Sequence, residues 1–141
     1  MKVRYYLGDD VRQEMNNKVS ISGLYADNRL VMPNNYIQEI NDATKNGDQV
    51  MYFIDRLTLL INISEIDGEV ELEGQFLDPN NNPHGDLHNL GKVKLTPNQS
   101  HNIIIQSNPF PFPKAGVYKF NLLINKEPEI VEFEIQFSDT H

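Results

Sequence analysis

Apolar and polar residues alternate with a period of two along much of this chain, and that period predicts β-strands and not amphipathic helices. Leu57, Leu59, Ile61 and Ile63 share one side of a segment whose other side offers Arg56, Thr58 and Asn62. Val70, Leu72, Gly74 and Phe76 alternate with Glu69, Glu71, Glu73 and Gln75. Near the end, Val131, Phe133, Ile135 and Phe137 alternate with Glu132, Glu134 and Gln136. Segments of this kind bury one face and leave the other in water, as strands of an antiparallel sheet do. Further extended pieces are expected over 2–7, 11–15, 18–25, 29–32, 101–107 and 117–125, from Met51 onward, and around Val93 and Leu95. Asn16-Asn17 suits the positive φ angles of a two-residue hairpin turn. Many short strands between turn residues indicate a sandwich or barrel.

One stretch departs from the period of two. Asn34 or Asn35 can cap a helix, Ile37 and Ile40 lie three apart, and Lys45-Asn46-Gly47 reads as a stop. The expected fold is therefore all-β: one domain over 1–141, an antiparallel two-sheet sandwich with a short helix inserted near 35–45.

Charge suggests one strand register. Placing Glu71 opposite Lys94 and Glu73 opposite Lys92 matches charges on the outer face. It also pairs Val70 with Leu95, Leu72 with Val93 and Gly74 with Gly91 on the inner one. The facing glycines would leave a thin spot for a bulky side chain from the other sheet. A shift of two residues, pairing Glu69 with Lys94, keeps the same facing and ranks second.

Composition narrows the function. At 141 residues the chain is long enough to bury a core unaided, and six Tyr and seven Phe supply much of its bulk. A net charge of −8 with dispersed Lys and Arg opposes binding to nucleic acid or an anionic membrane. There is no Cys, which excludes thiol catalysis, zinc–thiolate sites and disulfides. The apolar stretch at the start is too short for a signal-peptide core, and no segment reaches membrane-spanning length; a cytoplasmic location is expected.

The most specific stretch is Pro109-Phe110-Pro111-Phe112-Pro113-Lys114-Ala115-Gly116-Val117-Tyr118-Lys119-Phe120. Alternating prolines impose an extended path and cannot donate to a central ladder. Tyr118, two residues before Phe120, resembles the tyrosine corner of immunoglobulin-like sandwiches, in which a Tyr near a strand start bonds nearby backbone through its hydroxyl. Together with Tyr5-Tyr6-Leu7-Gly8-Asp9-Asp10-Val11-Arg12 and Lys18-Val19-Ser20-Ile21-Ser22-Gly23-Leu24-Tyr25, this stretch resembles a family of short bacterial proteins of unknown function. The resemblance covers most of the chain apart from about 33–50. It implies an immunoglobulin-like Greek-key sandwich and brings no catalytic residues with it.

Candidate sites are few. In the 78–88 loop, Asp78, Asn80 and Asn82 copy the spacing of a calcium loop, but Pro83 stands where that loop needs Gly. Asp78, His84, Asp86 and His88 are the weak metal candidates, against the reading of a polar turn. Asp9-Asp10 with Glu14 could form an acid–base pair, or simply end a strand. No Gly-x-Ser-x-Gly elbow or phosphate loop occurs. The acidic strand faces, Glu69/Glu71/Glu73 and Glu132/Glu134, are either solvated outer faces or a landing site for a basic partner. Phe110 and Phe112 either expose an aromatic patch or close the core, and Ile37 and Ile40 either cover a sheet edge or bind a partner. The reading that follows is a non-enzymatic intracellular protein-interaction module of bacterial or phage origin, without cofactor, binding a protein and leaving self-association open. The alternative is a carbohydrate- or metal-ion-binding module using the 78–88 loop.

Overall fold

The computed structural model describes residues 1–15, 18–32 and 51–138. Its strands are β1 (Lys2–Gly8), β2 (Asp10–Gln13), β3 (Val19–Ser22), β4 (Arg29–Met32), β5 (Tyr52–Ile54), β6 (Leu57–Ser64), β7 (Gly68–Leu77), β8 (His88–Leu95), β9 (Ser100–Ser107), β10 (Phe110–Phe112), β11 (Gly116–Ile124) and β12 (Glu127–Phe137). The protein is all-β. The Asn16-Asn17 turn, the helix expected over 35–45, and Ile37 and Ile40 lie outside the described residues.

A five-stranded sheet runs in the order β4-β12-β11-β7-β8 and a three-stranded sheet in the order β1-β6-β9; β10–β5 and β2–β3 are two-stranded ribbons. All neighbours are antiparallel except β12 and β4, which are parallel. Both larger sheets direct one face into a single apolar cluster. Leu57, Leu59, Ile61 and Ile63 of β6 meet there with Val70 and Leu72 of β7, Phe120 and Leu122 of β11, and Val131, Phe133 and Ile135 of β12. These are the alternating residues of the sequence pattern, removed from water because period two places them all on one side of each strand.

β6 does more than the pattern predicts. Thr58 and Leu60, on its other face, are buried as well. β2 runs close to β6, and just before β2 the Asp9 carbonyl accepts from the Thr58 hydroxyl at 3.1 Å.

The register of β7 and β8 is the second-ranked one. Glu69 faces Lys94, Glu71 faces Lys92, and Leu72 faces Gly91. The pairing of Glu71 with Lys94, and of Gly74 with Gly91, does not occur. A β-bulge follows Leu72, so that Glu73 lies opposite Asn89 and Gly74 opposite His88. Gly91 takes φ +85°, and its N–H is bonded to the Asn89 side chain at 3.1 Å. The extra residue shortens the outer charge match, which simple alternation cannot anticipate. The thin spot at Gly74 is real, but the ring that fills it is Phe120 from neighbouring β11 of the same sheet. A Cβ at Gly74 would stand 2.4 Å from the Phe120 ring.

The β11–β12 hairpin turns through Asn125 and Lys126, at φ +50° and +69°. Two successive left-handed residues match the right-handed twist of the flanking strands. Asn125 also ties the turn to β7, its side-chain oxygen accepting from the Glu71 N–H at 2.8 Å.

Candidate functional site

The 78–88 loop is built by its own polar residues. Asp78 Oδ1 accepts from the backbone N–H groups of Asn80 and Asn82, both at 2.9 Å. The Asn82 bond, reinforced by that from Asn80 and by the Lys114 and His84 charges, holds the Asp78 carboxyl below its ordinary range despite some desolvation. This is a side chain copying a backbone turn. Gln75 anchors the far side of the loop by donating to the Gly85 carbonyl at 2.9 Å.

His84 turns inward. Its Nε2 lies 2.6 Å from the Pro111 carbonyl, so that nitrogen is the protonated donor. The ring packs against Phe110 and Tyr118, with centroids 5.2 and 5.4 Å away. His88 instead meets the rings of Phe76 and Phe120. The weak metal candidates thus point to different partners. Among the described residues no three His, Asp or Glu side chains converge on a point where an ion could sit.

Phe110 and Phe112 are only 1% and 0% exposed. They belong to the core and form no exposed aromatic patch. The alternating prolines explain the geometry: among the described residues β10 pairs only with β5, Pro111 facing Phe53, so no central ladder loses a donor. Phe53 is 54% exposed on the outer side of that ribbon.

Tyr118 is fully buried and donates its hydroxyl to the Lys114 carbonyl, four residues upstream, at 2.8 Å. Burial, more than the nearby Asp78 charge, pushes the phenol up to about 12 against the opposing pull of its backbone bond. The hydroxyl-to-backbone bond expected of a tyrosine corner is present.

The acidic residues of the first hairpin are dispersed among separate partners. Asp9 accepts from the Tyr25 hydroxyl at 2.7 Å, Asp10 pairs with Arg12 at 2.9 Å, and Glu14 accepts from Ser20 at 2.8 Å. Desolvation, with the Asp9 bond and charge, raises Tyr25 to about 12. The two acidic strand faces prove to be one: the outer side of the five-stranded sheet, where Glu69 faces Lys94, Glu71 faces Lys92, Glu132 faces Lys119 and Glu134 faces Arg29. Alternating charge of this kind makes a solvated surface.

What the sequence did not signal is a seam between the sheets. β8 and β9 end their respective sheets, and among the described residues neither has a partner strand on its outer edge. They come together where the chain crosses from one sheet to the other. A cleft of about 600 Å³ opens there, lined by Lys94, Asn98, Gln99, His101, Asn102 and their neighbours. Burial pushes the His101 imidazole below its usual range, towards the neutral form. A second cleft of about 230 Å³ abuts the other end of β9, where Gln106 and Ser107 approach His84, Asp86 and His88.

No protein-family model matches this chain, and no curated protein matches it. Among the described residues no helix is long and apolar enough to cross a membrane.

Proposed function

We propose that this protein is a non-enzymatic protein-interaction module built on an immunoglobulin-like Greek-key sandwich. The strand order supports the fold reading. β6 pairs with β9 in one sheet while β7 pairs with β8 and β11 in the other, so the connections from β6 to β7 and from β8 to β9 pass between sheets, as some connections of a Greek-key sandwich do. The bond from Tyr118 to Lys114 supports it independently.

One observation favours the interaction reading. Several of the carboxylates and imidazoles singled out for chemistry are engaged in holding turns and strands together, whereas among the described residues sheet edges remain unpaired. Asp9 holds Tyr25, Asp78 closes its own turn, and His84 is bonded to Pro111. Groups fixed in this way are poorly placed to bind or turn over a substrate, while an unpaired strand edge is a ready template for an added strand. Fold alone does not assign a function, so the test is direct. Tagged full-length protein, cross-linked in its native cells, is expected to recover one reproducible partner that also binds the purified protein in calorimetry. Recovery of no such partner would remove this reading.

A further inference from the structure

Independently of any partner, we infer that the Gly85-Asp86-Leu87 strap of the 78–88 loop has two states, and that the Gln75 side chain is the latch that exchanges between them.

The observation behind this is a buried acceptor left over in the fold. Asn121 Oδ1 is closed off from solvent and has no hydrogen-bond partner in the protein. An unmade bond at a buried polar atom is rare and costly. Asn121 lies on the outer side of the five-stranded sheet, between buried Phe120 and Leu122 of β11. In the register of β7, β11 and β12, the side chains around it that carry a donor are Gln75, directly opposite, and Lys119, two residues back. Its other neighbours there are apolar, as Ile130 and Leu123 are, or carboxylates, as Glu73 and Glu132 are.

Both donors are drawn away to the 78–88 loop. Gln75 Nε2 donates to the Gly85 carbonyl at 2.9 Å, and Lys119 Nζ donates to Asn81 Oδ1 at 2.7 Å. Gln75 faces Asn121 across the β7–β11 ladder, a separation that two amide side chains span. The Gln75 amide therefore has two acceptors within its reach, and it serves the exposed one. Gly85 is exposed, so its carbonyl, once released, bonds water. Asn121 Oδ1 has no such recourse. Turning Gln75 from Gly85 to Asn121 thus leaves every group bonded, which brings the two arrangements close in free energy.

The strap is suited to respond. Gly85, Asp86 and Leu87 are all exposed, so no buried contact holds them down. Gly85 takes φ +97°, with open space where a Cβ would stand. The chain is fixed on both sides of these three residues. The His84 N–H donates to the Phe76 carbonyl at 2.8 Å, and His88 lies opposite Gly74. Gly85 and Asp86 border the 230 Å³ cleft that the Phe76 and Phe110 rings also line. With Gln75 on Gly85 that border is tied to β7, and with Gln75 on Asn121 it is free. A side chain on the outer face of the sheet thereby governs the border of the cleft.

Relaxation-dispersion NMR on the full-length protein tests the latch. Exchange on the microsecond–millisecond scale is expected at the Gly85, Asp86 and Leu87 backbone amides and at the Gln75 and Asn121 side-chain amides. One rate and one minor population of about 1–10% should fit all five. Asn121→Leu removes the competing acceptor at similar size and should cut that population about tenfold. Asn121→Ala, which removes the same acceptor without adding bulk, should do likewise. Gln75→Leu should release the strap in every molecule and leave the Asn121 side chain without dispersion. Flat profiles in the unaltered protein would overturn the assignment. So would exchange in the strap with a silent Asn121 side chain, or a minor population that the Asn121 variants leave unchanged.

Discussion

Tyr118 and Lys114 are joined by a 2.8 Å hydrogen bond from a fully buried phenol to a backbone carbonyl four residues back. That bond fixes where the chain leaves the proline-rich β10 and joins the central β11. Tyr118→Phe keeps the ring packing and leaves the carbonyl without this donor, at a cost of about 1–2 kcal/mol. A lower urea midpoint with an unchanged slope is the expected result.

The two raised tyrosines make alkaline stability a second readout. Tyr25 and Tyr118 titrate near 12 in the folded protein, against about 10 in an unfolded chain. The neutral phenol is the form the fold favours, so their contribution is complete below about pH 10 and is lost as pH rises towards 12. Denaturation midpoints measured across that window should fall, and Tyr25→Phe combined with Tyr118→Phe should flatten the decline.

Gly74→Ala should destabilise by about 1–3 kcal/mol, the cost of overpacking, because the added methyl meets the Phe120 ring at 2.4 Å. The backbone at Gly74 is ordinary, so the effect is steric. Adding Phe120→Leu should therefore cost less in the Gly74→Ala background than in the unaltered protein, a non-additivity that a double-mutant cycle of chemical denaturation measures.

His84→Ala should loosen the 78–88 loop by removing both the bond to Pro111 and the ring contacts with Phe110 and Tyr118. Faster hydrogen exchange confined to that loop and β10 is the expected signature. Zinc, calcium and chelator should each leave the thermal midpoint of the unaltered protein in place, since His84 Nε2 is already engaged and the neighbouring candidates do not converge.

Much of the architecture was legible before any coordinates. Period two identified the inward faces of β6, β7 and β12, and the resemblance of the Tyr118 stretch to a tyrosine corner implied a hydroxyl bonded to nearby backbone. These features are local: strand geometry sends alternate side chains to opposite sides whatever the neighbours are. The candidate site was far less legible. Asp78, Asp86 and the two histidines crowd together in sequence, yet His84 and His88 pack on different aromatic rings. The acidic runs of β7 and β12 looked like two faces until their common sheet interleaved them with Lys and Arg.

Strand identity and inward facing were thus properties of the chain itself, because each depends only on residues two apart. Register, the filling of Gly74 by Phe120, the burial of Thr58 and Leu60, and, among the described residues, the unpaired outer edges of β8 and β9 were decided by tertiary structure. Each depends on which distant strand arrives alongside, and no local period encodes that arrival. Charge illustrates the point, since Glu69, Glu71, Lys92 and Lys94 are compatible with two registers. A bulge at Leu72, with Gly91 in a left-handed conformation, accompanies the register that the fold adopts.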